Sequence, residues 1–144
     1  MNKGFTLIEL IVVIAIIAVL SSVILFSITL YINKGKDSNI SGNLAVLVPA
    51  GEVFYNIGNT YERFCGSDVV KNAISQIPQN PVGACPADNV AAVCCGVASD
   101  GQAWAACATE FANSSNAYCV DSRGIKKEIS NESCKVVASA AKCP

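Results

Sequence analysis

The sequence predicts an α+β chain in which a long N-terminal α-helix packs on a small antiparallel β-sheet head. Three observations predict it. An apolar run from Phe5 to Ile32 carries a single charged residue, Glu9, and is followed by a stretch whose apolar residues recur every three to four positions. The rest consists of short β-prone segments between turn signals and holds all eight cysteines. At 144 residues there is room for one compact domain plus one extended element.

The apolar run comes first. About 28 residues at the helical rise extend ~42 Å, against ~30 Å of bilayer hydrocarbon. A cleaved secretory signal has an apolar region of only about 7 to 15 residues and ends in small residues of the Ala-x-Ala kind, which Ser21-Ser22 does not match. A plain single-pass anchor leaves Glu9 unexplained, because a central acid costs about 2.5 to 3.5 kcal/mol on insertion scales. Cutting the chain after Gly4 would place the new ammonium of Phe5 one helical turn from Glu9. In side-by-side helices, Glu9 of one chain could also meet that ammonium on the next.

Met1-Asn2-Lys3-Gly4-Phe5-Thr6-Leu7-Ile8-Glu9-Leu10, followed by the apolar run, closely resembles the leader of bacterial type IV prepilins and type II secretion pseudopilins. The resemblance implies cleavage between Gly4 and Phe5 by prepilin peptidase and methylation of the Phe5 amine. It assigns Glu9, with Thr6 beside it, to subunit assembly. It divides the chain into a leader (1–4), a transmembrane and assembly helix (5–32), an amphipathic helix continuing into the head (33–56) and an extracytoplasmic, disulfide-rich β head (57–144). The implied partners are other pilin subunits, the peptidase, and an inner-membrane assembly platform driven by a separate ATPase. The implied location is the inner membrane, with leader inside and head outside, and then a filament. Many relatives carry a helix breaker midway along the apolar helix. Here Ala18, Ser21, Ser22 and Phe26 stand in that region, so local melting of the helix is not expected. Charge alone does not orient the span, since Lys3 precedes it and Lys34 and Lys36 follow.

Beyond the polar stretch Asn33–Ser38, the residues Ile40, Leu44, Leu47, Val48, Gly51, Phe54 and Tyr55 keep helical spacing. A separate short helix behind Gly35 is the alternative. Pro49 predicts a kink or break between Ala45 and Gly51. Asn56–Cys65 reads as a loop, and Ser67 as the cap of a short helix that Pro78 ends. Asn80–Asp88 is turn-rich. Val90–Val97, Ala103–Thr109, Asn116–Asp121 and Ile125–Ile129 are candidate strands, the middle two joined around Asn113. A sheet laid on the helix would make two layers.

Cys65, Cys85, Cys94, Cys95, Cys107, Cys119, Cys134 and Cys143 form an even set in a small domain, which predicts disulfides and an oxidising compartment. Their connectivity stays open. A hairpin turning at Asn113 sets Cys107 opposite Cys119, while the resemblance favours a C-terminal loop closed from Cys119 to Cys134 or Cys143. Consecutive Cys94 and Cys95 do not suit a mutual bond.

With no histidine and no CxxC pair, neither a metal site nor a His-based nucleophile arrangement is expected, and no cofactor or catalytic residue is assigned. No phosphate-binding loop occurs. Asp88, Asp100 and Asp121 are too scattered for an EF-hand and read as solvated surface. Arg123, Lys126 and Lys127 are a small basic cluster facing solvent, so no nucleic-acid partner is expected. Asn39, Asn113 and Asn131 head short glycosylation-like triplets that carry little weight. The functional expectation is a structural filament subunit, not an enzyme. The alternative is a single-pass membrane protein displaying a binding domain without polymerising.

Overall fold

The structure, a computed structural model, describes residues 4–78 and 93–144. Cys85, Asp88, the turn-rich stretch from Asn80 and the start of the first candidate strand lie outside them. The chain divides into two units, the residues up to Asn33 and Lys34–Pro144.

Helix α1 runs Leu7–Gly58 and is α-helical through Gly35 and Pro49. The expected break at Pro49 does not occur. Pro49 is exposed, and on the solvent side of a helix water can serve a carbonyl that lacks its amide partner. The helix ends when Asn59 takes a left-handed φ of 56° and donates its N–H to the Tyr55 carbonyl at 2.6 Å. It therefore runs slightly past the boundary at Asn56 that its spacing suggested.

In the second unit a 3₁₀ turn, Phe64–Gly66, leads into α2, Asp68–Ser75. Ser67 caps α2 as expected, its hydroxyl accepting from the Val70 N–H. Four strands follow in a simple antiparallel meander: β1 Val93–Val97, β2 Trp104–Thr109, β3 Asn116–Asp121 and β4 Lys126–Ser130. The sequence located all four. The β2–β3 connection turns at Asn113, whose carbonyl accepts from Asn116 N–H at 2.9 Å. A last helix, α3, covers Asn131–Ala140, capped by the Ser130 hydroxyl on Ser133 N–H. Sequence reading assigned no element there.

α3 turns the anticipated two-layer head into three layers. Because side chains alternate along a strand, Trp104, Ala106 and Ala108 of β2 face one core, and Ala105 and Cys107 face the other. The first core joins Ile40, Leu44 and Leu47 of α1 to Val70 and Ile74 of α2 and to the aromatic residues Tyr61, Phe64 and Trp104. The second sits under α3 and includes Cys134 and Val137. All six residues of β2 are buried, which explains its unbroken run of apolar and small residues.

Two glycines permit close approach. Gly51 of α1 lies against the Trp104 indole, where a Cβ would fall 2.6 Å from Nε1. That indole N–H is buried and, among the described residues, has no acceptor. Gly96 of β1 lies under α3, where a Cβ would fall 1.7 Å from the Ala138 carbonyl oxygen. Backbone has to move to admit it. Gly96→Ala should therefore cost about 3 kcal/mol, at the upper end of overpacking penalties. The readout is a lower guanidinium midpoint of the oxidised chain, with faster amide exchange in α3; an unchanged midpoint would refute this packing.

Candidate functional site

At the N-terminus Thr6 precedes the first helical residue, Leu7. Its N–H and hydroxyl both donate to Glu9 Oε2, at 2.8 and 2.7 Å, and Glu9 N–H reaches back to Thr6 Oγ1 at 3.4 Å. This reciprocal arrangement is a capping box, which satisfies amides that the first helical turn leaves without partners. Glu9 thus has a partner inside its own chain. The Thr-x-x-Glu spacing that encodes it is visible in the sequence, but the apolar run that follows is the stronger signal. Gly4 is exposed, with nothing within 4 Å of where a Cβ would stand.

Around this end the helix is bare. The large apolar side chains described from Phe5 to Ile32 are all exposed, from 45% at Ile28 to 76% at Phe5. Among the described residues α1 is the one helix long and apolar enough to cross a membrane.

The cysteines resolve into bonds between layers. Cys65–Cys95 joins the 3₁₀ turn to β1, with Cα atoms 5.7 Å apart. On the opposite face, Cys107–Cys134 ties β2 to α3 and Cys119–Cys143 ties β3 to the C-terminal tail. Cys94 is also disulfide-bonded. Cys107 and Cys119 are cross-strand partners, as the hairpin predicted, yet each bonds to the α3 side instead. The reason is the third layer: both point to the face that α3 covers, where Cys134 and Cys143 arrive from outside the sheet. Cys94 and Cys95 project to opposite faces, so they do not bond to each other. Cys94, Cys107 and Cys134 bring their sulfurs within 4.8 Å of one another, but all three are held in disulfides, which leaves no thiolate to bind a metal.

Asp121 is not the solvated acid that the sequence suggested. It is fully buried, and its carboxylate accepts from Arg123 Nε at 2.9 Å and from the backbone N–H groups of Arg123, Ile125 and Cys143 at 3.0, 3.3 and 3.1 Å. The Arg123 guanidinium, about half exposed, also donates to the Cys143 carbonyl at 2.9 Å. Arg123 is thereby committed to the tail, whereas Lys126 and Lys127 are exposed. Asp100 is exposed and accepts from Gln102 N–H.

Lys36 and Asp37, assigned only to a polar exit from the apolar run, grip the β2–β3 connection. Asp37 accepts from the N–H groups of Phe111 and Ala112, and Lys36 Nζ stands 4.5 Å over the Phe111 ring. Only the fold brings these residues together, 74 positions apart in sequence.

The N-terminal segment is where known proteins are similar to this chain. Residues 1–25 match the family model described as the prokaryotic N-terminal methylation motif. A curated relative, the type IV major alpha-pilin of Moraxella bovis, is 51% identical over 44 residues, 31% of this chain and 28% of that pilin. Both findings support the type IV pilin family, on the residues that carried the resemblance. The chain spans little more than a quarter of that relative's length, and no solved structure matches it.

Burial pushes the Asp121 carboxyl up, but the Arg123 bonds and the three backbone N–H groups outweigh it and hold the pKa below the usual aspartate range. A depressed folded-state pKa contributes stability that is complete above the unfolded value of about 4 and is lost as pH falls through the folded value. Asp121→Asn should cost about 2 kcal/mol at neutral pH, allowing for the solvent around Arg123. It should also flatten the loss of stability below about pH 4. Urea melts of both chains across that range check the sign.

Proposed function

We propose that this chain is a structural subunit of a type IV pilus or of a type II secretion pseudopilus. It waits in the inner membrane with the leader inside and the head outside. Prepilin peptidase removes Met1–Gly4 and methylates the Phe5 amine. A separate ATPase, acting through an assembly platform, then moves the subunit from lipid into a fibre built through its N-terminal helix. The observation that carries this reading is the pairing of the methylation motif with an apolar helix that nothing covers. Neither lipid nor a helix bundle exposes that surface to water, so the transfer between them is feasible. Glu9 is the registration residue in this scheme, paired with the Phe5 ammonium of its own or a neighbouring subunit.

Two measurements test it. Mass spectrometry of the chain from native membranes should find Phe5 first, with a methyl group on its amine. A chain that begins at Met1 and forms no polymer would establish the alternative, a membrane-anchored binding domain. The capping box separates the two duties of Glu9, because glutamine fills the third helical position of the box as well as glutamate does. Glu9→Gln should keep slow amide exchange in the first turn yet lower fibre yield by about tenfold, the loss of ~1.4 kcal/mol of charge pairing. Full assembly by Glu9→Gln would reduce the residue's role to capping.

A further inference from the structure

The peptide between Gly4 and Phe5 stands immediately outside α1. Gly4, Phe5 and Thr6 are not helical, and all three are exposed, Phe5 to 76%. Nothing lies within 4 Å of the Cβ position at Gly4. The helix opens at Leu7, and Thr6 fixes that start. Its carbonyl accepts the first helical bond, from Leu10 N–H at 3.3 Å, and its hydroxyl accepts from Glu9 N–H at 3.4 Å. Glu9 Oε2 in turn takes the Thr6 N–H at 2.8 Å, an amide that a helix begun four residues earlier would use within its own ladder.

We propose that this capping box is the stop that keeps the Gly4–Phe5 peptide out of the helix, and that Thr6 is thereby a positioning residue for cleavage there; this rests on the processing proposed above. Hydrolysis adds water across that C–N bond, leaving a carboxylate on Gly4 and an ammonium on Phe5. Endoproteolysis selects exposed, non-helical chain, and its rate follows the population of that open form when opening is fast. Without the Thr6 hydroxyl the helix end has two ways to move. Fraying inward carries the unpaired amides of the first turn deeper into the apolar run, where lipid offers them no partner. Growing outward keeps them at the polar end and reaches Gly4 and Asn2, residue types that cap, whereas Phe5 and Lys3 are not. The outward move is therefore the easier one. Either new start places the Gly4–Phe5 peptide at or inside the first helical turn.

The test uses full-length chains mixed with purified prepilin peptidase in detergent–phospholipid micelles, with the cut fraction followed over time by mass spectrometry. Thr6→Val keeps the shape of the side chain and removes the capping oxygen, while Thr6→Asn changes the shape and keeps a good cap. Thr6→Val should be cut about fivefold more slowly, the rate equivalent of ~1 kcal/mol of capping, and Thr6→Asn at the rate of the unsubstituted chain. In peptidase-free samples carrying carbon-13 at Phe5, the Cα chemical shift should move towards the helical value in Thr6→Val and stay in place in Thr6→Asn. Equal cleavage of Thr6→Val and the unsubstituted chain overturns the proposal alone. So does an unmoved Phe5 shift in Thr6→Val, or slow cleavage of Thr6→Asn, either of which would make Thr6 a side chain that the peptidase itself reads. An unsubstituted chain that stays uncut removes the processing reading and this proposal together.

Discussion

The constraint on which the rest depends is the uncovered apolar surface from Phe5 to Ile32. Each large apolar side chain left in water forfeits about 1.5 to 3 kcal/mol of burial, and more than a dozen are exposed in succession. None of them is covered among the described residues. The second unit has a core of its own. That unit buries Ile40, Leu44 and Leu47 from the later turns of α1 and uses none of the large apolar residues before Asn33.

A head of this size has little surplus stability. Its sheet is covered on both faces, so three layers must be held together by two small cores, one of them made largely of alanine and cysteine. Alanine buries little area. The disulfides compensate where the apolar area is thinnest: the α3 side carries Cys107–Cys134 and Cys119–Cys143, and the aromatic side carries Cys65–Cys95. In the chain-entropy picture, closing loops of 24 to 30 residues contributes about 3 to 4 kcal/mol each. Asp121 and Arg123 add a non-covalent clamp beside Cys143, so the tail is held twice.

Local signals made much of this legible. Ser67 as a cap, the four strands and the turn at Asn113 follow from short-range chemistry that the sequence displays directly. What it hid was long-range or masked by a stronger local signal. Asn131–Ala140 has a modest apolar stripe and begins directly after a strand, with Ser130 serving both elements, so no gap marks a new helix. The disulfide pattern depends on that helix and was hidden with it. Asp121 and Asp37 looked like ordinary surface acids because their partners are backbone N–H groups, which leave no mark in a sequence. Pro49 misled because its cost depends on which side of the helix it faces.

Glu9 shows how a local partner and a distant one can be required together. The capping box contributes about 1 kcal/mol, and a carboxylate at a helix N-terminus gains about 0.3 to 1 kcal/mol from the helix dipole. Against an insertion cost of about 2.5 to 3.5 kcal/mol for a central acid these fall short, although the cost is lower towards the interface. A neutral amide would fill the capping box without that cost, but it would forgo the dipole contribution. Within a single chain the negative charge therefore gains only the dipole contribution, and a cation placed beside it would add to that. On the proposed processing, the ammonium of Phe5 would be such a cation.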